Sequence, residues 1–144
     1  MDEDLQSLLQ PTVRLTASWL AEIALRARCG DGTSFAVLRA VLHALRDRLT
    51  DEAAIALAQD LPALIRGIWF DGWRPSPAPV RDRTLADWLV TLEGHLLAAD
   101  ADAVPACAAA EAVLPLLGRQ FGTEARRRLD AELPADVAAL LRAA

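Results

Sequence analysis

Val41 to Trp69 lies without a gap over Val113 to Leu141, 72 residues further along the chain. Nine of the 29 aligned positions are identical: Val41/Val113, Leu42/Leu114, Leu45/Leu117, Glu52/Glu124, Ala53/Ala125, Leu57/Leu129, Leu61/Leu133, Pro62/Pro134 and Ala63/Ala135. Self-similarity at a fixed offset marks a duplicated supersecondary unit, which restricts the chain to folds assembled from two equivalent pieces. Trp19-Leu20 matches Trp88-Leu89 at an offset of 69, so the loop after that helix differs by three residues between copies. Loops absorb such differences at small entropic cost. Each copy reads as a helix, a loop, a second helix, a short helix and a last helix opened by proline.

The apolar spacing is helical throughout. Leu38, Val41, Leu42, Leu45 and Leu49 fall at i, i+3, i+4, i+7 and i+11, one buried stripe of a helix over about 33–49. Thr50 is placed to cap the next short helix, with Asp51 and Glu52 at its positive end. Pro62 opens a helix to Phe70, in which Gly67 costs about 1 kcal/mol relative to alanine and so implies close approach of another group. In the second copy Thr84-Leu85-Ala86-Asp87 resembles a capping box, Thr123 is placed as a cap, and Pro105 and Pro134 open helices. Pro115 falls inside a helix and predicts a bend or break near 111–115.

These signals predict an all-α fold: two tandem copies of a short four-helix repeat packed into one compact helical bundle. Residues 1–11 form an N-terminal tail, a frayed acidic turn closed by Pro11. Residues 12–73 are the first repeat, and 84–144 the second. Between them lies a stiff linker, 74–83, with Pro75, Pro77 and Pro79 at alternate positions.

Composition acts mainly by exclusion. The net charge of −5 opposes non-specific nucleic-acid binding, which draws its affinity from neutralised phosphates. The one dense basic run, Arg126-Arg127-Arg128, spreads over about 200° of a helix and reads as a solvated surface. All fifteen basic residues are arginine, so neither a lysine Schiff base nor a lysine-bearing phosphate loop is available. No basic-then-apolar leader and no long apolar run occur, which predicts neither secretion nor membrane insertion. Cys29 and Cys107 form no disulfide framework; reduced thiols in the cytoplasm are expected, with Cys107 a small buried residue.

Residues 41–73, with the VLHALRDRL helix, the AQ-x-LP-x-LIRG turn and helix and the Phe70-to-Pro75 exit, closely resemble an uncharacterised bacterial family, domain of unknown function 2267. The likeness extends over about 12–142. It implies a small all-helical protein and supplies no reaction, ligand or catalytic residue. Asp60, where a small or apolar residue is expected, and Trp69, where tyrosine is expected, depart from the pattern.

Function is less legible. Arg66, Gly67 and Leu64 become Ala138, Ala139 and Asp136 in the second copy, and the Phe70-Asp71-Gly72-Trp73 exit has no counterpart there. Arg66, Trp69, Phe70, Trp73 and Arg74 are therefore the candidate interaction surface, since Arg and Trp concentrate binding energy in interfaces. The same tryptophans would equally serve as a seam between the copies, with Arg66 paired to a carboxylate of the second, or as the wall of a ligand pocket. The leading expectation is a non-catalytic interaction or regulatory module with an unidentified protein partner or self-association. No cofactor, metal, nucleic acid or membrane partner is expected.

The alternative is a small-molecule binder or enzyme. It would use His43 or His95, the only imidazoles, with Asp47, Glu93 or Cys107. Arg39, His43 and Asp47, at i, i+4 and i+8, are expected to pair along their own helix. Asp71 and Asp82 are a further carboxylate pair without a distinguishing spacing. A nucleic-acid binder ranks last, because 61–70 offers only Arg66 and 134–143 only Arg142 against Asp136.

Overall fold

The structure, a computed structural model, describes residues 2–76 and 79–143; the linker's Pro77 lies outside them. Among the described residues the chain is all helix: α1 (Glu3–Ala27), α2 (Asp31–Asp47), α3 (Asp51–Ala58), α4 (Ala63–Phe70), α5 (Leu85–Ala98), α6 (Ala106–Gln120), α7 (Thr123–Glu132) and α8 (Ala135–Arg142).

The local signals explain most helix ends. Thr50 and Thr84 accept from Ala53 N and Asp87 N, at 3.3 and 3.1 Å. Asp87 reaches back one residue further than a capping box requires, accepting from Arg83 N at 3.3 Å. Pro62, Pro105 and Pro134 stand immediately before α4, α6 and α8, where a missing N–H costs nothing. Thr123 lies inside α7; Gly122 is the cap, and Asp60 Oδ2 accepts its N–H at 3.0 Å.

Both interior prolines are tolerated. The predicted tail is instead the beginning of α1, which starts at Glu3, is capped by the Asp2 side chain and runs straight through Pro11. Pro11 is exposed, so water can satisfy the backbone carbonyl it releases. In α6, Pro115 interrupts nothing between Ala106 and Gln120. Residues 112–118 are buried against α1, α2, α5 and α8, and this packing holds the helix across the lost hydrogen bond.

The core is interlocked rather than divided. α1 packs on both α2 and α6, and α5 on both α2 and α6, so each half supplies walls for the other. α2 and α6 form the centre, with Val41 and Val113 both fully buried. Trp88 of α5, also fully buried, donates its indole N–H to Ala44 O of α2 at 3.1 Å. α3 and α7 meet through exchanged caps: Glu132 accepts from Thr50 N at 2.7 Å and from Thr50 Oγ1 at 3.1 Å, while Asp60 accepts from Gly122 N. These contacts coincide at the 72-residue offset, Thr50 with Gly122 and Asp60 with Glu132. The unexpected acid at position 60 is thus one of two reciprocal helix caps.

A marked difference between the halves lies at Arg46 and its offset equivalent, Gly118. A Cβ on Gly118 would stand 1.6 Å from Leu141 O, so α6 and α8 touch backbone to backbone. At the corresponding place between α2 and α4, Arg46 Nη1 donates to Trp69 O at 3.0 Å. Gly67, expected to mark a close approach, has no atom within 4 Å of where a Cβ would be. The constrained glycine is Gly118.

Candidate functional site: a polar network beside a cleft

The inner end of α2 carries a chain of charged and polar groups facing α4, α5 and the linker. Arg46 is almost fully buried, at 6% exposure. Its Nη1 donates to Trp69 O and Asp71 O, both at 3.0 Å, and so holds the last turn and exit of α4. Its Nε donates to Asp47 Oδ1 at 3.0 Å. Asp47 Oδ2 in turn lies 3.3 Å from Nε2 of His95 on α5. Burial works against the Asp47 charge, but the His95 contact and the Arg46 guanidinium outweigh it and hold this carboxyl below its ordinary range.

His43 and His95 do meet across the bundle, rings edge to face with centroids 6.2 Å apart. His43 Nε2 donates to Ile68 O at 2.8 Å. Burial pushes the His43 pKa down, with Arg46, Arg39 and His95 adding to the effect and the Ile68 carbonyl opposing it. The ring is therefore neutral at physiological pH, with its Nε2 proton committed to the backbone. Arg39 bonds and pairs with the Asp71 carboxylate, and this holds the Asp71 pKa down. Arg39, His43 and Asp47 thus do not pair with one another along α2: the first two reach α4 and its exit, and Asp47 is held by Arg46 and lies against His95 of α5.

Cys107 stays apart from this network and is exposed rather than buried. It lines a groove between α5 and the start of α6 together with Glu93. The Cys29 thiol is pushed up by burial and by Asp31, which disfavours the reactive thiolate. Asp71 and Asp82 do not converge: Asp82 accepts from Thr91 Oγ1 at 2.9 Å. Among the described residues no three His, Cys, Asp or Glu side chains gather in a metal-holding group.

The predicted interaction surface separates into different roles. Trp69 is fully buried in the first half, its indole N–H on Ala54 O at 3.0 Å, so no partner reaches it in the folded chain. Arg66 donates to Ala58 O at the end of α3 at 2.8 Å and to Leu61 O in the turn that follows at 3.0 Å; among the described residues it pairs with no carboxylate of the second half. Phe70 and Trp73 are half-buried and packed together, with ring centroids 5.4 Å apart. Only Arg74 is exposed. The tryptophan that joins the halves is Trp88. Arg126, exposed as expected, also caps a helix end, donating to Phe121 O at 3.0 Å and Gly118 O at 2.5 Å.

Trp73 and Arg74 border a cleft of about 340 Å³ whose other walls include Arg46, Asp47, Asp51 and Val80. Arg74, Ser76, Pro79 and Val80 of the linker line it, and Val80 N on Asp47 O at 2.9 Å and Arg48 Nε on Asp82 O at 2.7 Å tie the following segment to the end of α2. Arg46 escaped the sequence reading because a charged residue between apolar positions looks like surface. Its alignment with Gly118 was the available signal, since a long cation standing where the aligned residue of the second half tolerates no side chain must occupy a gap.

The architecture defines a small all-helical protein with a buried arginine network at one end of its central helix. The chain belongs to the family described as Uncharacterized conserved protein (DUF2267), whose model matches residues 16–140. No curated protein matches it.

Proposed function

We propose that the chain acts by association, as an interaction or regulatory module without catalysis of its own, and that the contact is the first half of α1. The observation carrying this reading is the continuation of a buried stripe into solvent. Thr16, Trp19, Ile23 and Ala27 are buried, and the same face continues towards the N-terminus as Thr12, Leu9, Leu8 and Leu5. Leu5, Leu8, Leu9 and Val13 are 49%, 75%, 47% and 51% exposed. α1 has 25 residues against 14 in its counterpart α5, so the extra turns have no equivalent in the second half.

An isolated helix of this length is marginal in water, and an apolar stripe is stabilised by covering it. The occupant such a stripe fits is another amphipathic helix, and the one defined by this chain is α1 of a second copy, giving a self-complementary pair. The two unbridged cysteines fit a cytoplasmic setting, and the exchanged caps fit a duplicated origin for the halves. Among the described residues no helix is long and apolar enough to cross a membrane. Nucleic-acid recognition is disfavoured by the same geometry: Arg66 is turned inward onto α3 carbonyls, and Arg142 is bonded to Asp130 at 2.6 Å.

Sedimentation velocity over a concentration series, comparing wild type with the double variant Leu5→Gln/Leu8→Gln, tests the reading. Both residues are exposed, so the variant keeps the bundle's melting temperature. Wild type is expected to associate with rising concentration and the variant to remain monomeric. Identical sedimentation of the two proteins refutes the proposal.

A further inference from the structure

The cleft beside the Arg46 network has an uneven supply of hydrogen-bonding groups. Of the five N–H bonds of Arg46, one donates to Asp47 and two to the backbone of the α4 exit. Among the described residues none accepts from the remaining Nη2 group, although the side chain is more than nine-tenths buried. That atom is not sealed from solvent without a partner, and the cleft is where Arg46 opens outward. Arg74, on the same cleft, has no hydrogen bond or ion pair among the described residues.

The cleft's acids are already engaged. Asp47 is held by Arg46 and lies against His95, and Asp51 Oδ1 accepts from Ser76 N at 3.2 Å. The donors left without an acceptor belong to two guanidinium ions, whose planar forks match a carboxylate. The rest of the wall is mostly apolar: Trp73, backed by Phe70, with Leu49, Gly72, Pro79 and Val80, beside Ser76. A volume of about 340 Å³ is at the small end of ligand sites.

We propose that this cleft binds a small aromatic carboxylate, its carboxylate bridging Arg46 Nη2 and Arg74 and its ring lying on Trp73. Asp47 and His95 are positioning residues here. Asp47, against which His95 lies, holds Arg46 Nε and so fixes the plane in which Nη2 is presented. This inference is independent of the α1 contact, which lies on another part of the molecule.

Benzoate is the probe, with benzamide as its neutral isostere and inorganic phosphate as an anion lacking the ring. Binding is read by calorimetry and by chemical-shift changes at the Trp73 indole N–H and Val80 methyls. Wild type is expected to bind benzoate with a dissociation constant of about 1 mM, as suits a fragment-sized ligand, and to bind benzamide and phosphate at least about tenfold more weakly. Arg74→Gln, an exposed change that leaves the buried network intact, should weaken benzoate at least about tenfold. Several results overturn the site: no benzoate binding, equal binding of benzamide, or an unchanged affinity in Arg74→Gln. Phosphate binding as tight as benzoate overturns the aromatic requirement. Shifts at the Cys107 groove in place of Trp73 overturn the location.

Discussion

Replacing Gly118 by alanine should destabilise the protein even though alanine is the better helix former. The new Cβ would lie 1.6 Å from Leu141 O, 2.7 Å from its carbonyl carbon and 3.2 Å from its Cα. An ordinary carbon-to-oxygen contact begins at about 3.3 Å, so α8 must retreat by about 1.7 Å or α6 must deform. All three atoms belong to backbone, and no side chain can turn aside. Inserting a methyl group into a packed site of this kind costs about 1–3 kcal/mol or more, whereas the helix-propensity gain is about 1 kcal/mol. Retreat of α8 also opens the contacts of Val137 and Leu141, which are 0% and 6% exposed, so the upper part of that range applies. The expected net loss is about 2 kcal/mol, or about 4–8 °C in melting temperature for a chain of this size. Gly67→Ala is the control: with nothing within 4 Å it should gain about 0.5–1 kcal/mol. Urea unfolding of both variants measures the midpoint at constant slope. Gly118→Ala as stable as wild type, or the two alanines shifting stability in the same direction, would refute the backbone-contact account.

Acid should loosen the Arg46 region before the carboxylates titrate. The folded-state pKa of His43 lies below its ordinary 6.5, so its contribution is present above about pH 6.5 and is lost as pH falls from there through the folded value. The limiting slope for one proton is about 1.4 kcal/mol per pH unit, and melting curves from pH 7.5 to 5 should show a decline that flattens in His43→Gln, whose amide still donates to Ile68 O without titrating. An unchanged pH slope in that variant would assign the decline elsewhere. Asp47 has the same sign at lower pH: its depressed pKa adds stability above about 3.8 that disappears as pH falls through the folded value. Trp88→Phe removes a buried bond between the halves and part of a fully buried ring, so denaturant unfolding should show a loss of about 2–4 kcal/mol. Trp73→Phe, at a half-buried position, should cost under about 1 kcal/mol, and equal losses in the two variants would contradict the seam at Trp88.

Helical periodicity and capping chemistry were legible because both are local. The stripe from Leu38 to Leu49 is buried as its spacing predicts, and Thr50 caps α3 through the expected atom. The errors share a cause: each residue's role was decided by its surroundings in the fold and not by its own type. Pro11 and Pro115 looked like breaks because propensity counts the lost hydrogen bond and not the surroundings that tolerate it. Gly67 and Gly118 have the same intrinsic cost, and only the position of Leu141 separates them. Trp69 and Trp88 are equally large and apolar; which one joins the halves depends on Ala44 lying opposite Trp88. The site was half visible. His43, His95 and Asp47 were singled out by residue type, and Trp73 and Arg74 by the difference between the two halves, but the buried Arg46 beside them carried no local mark. Its burial follows from backbone carbonyls supplied by α4 more than twenty residues later.

The crossed packing of α1 and α2 with α5 and α6 bears on how the chain is made. When Trp73 is added to the growing chain, α2 is complete, yet Trp88 and the α6 surface that will shelter α2 are still unsynthesised. At about 5–20 residues per second, the remaining stretch takes about 4–14 seconds. During that interval the oily side of α2 has no permanent cover, so the nascent first half is the species on which a chaperone would act.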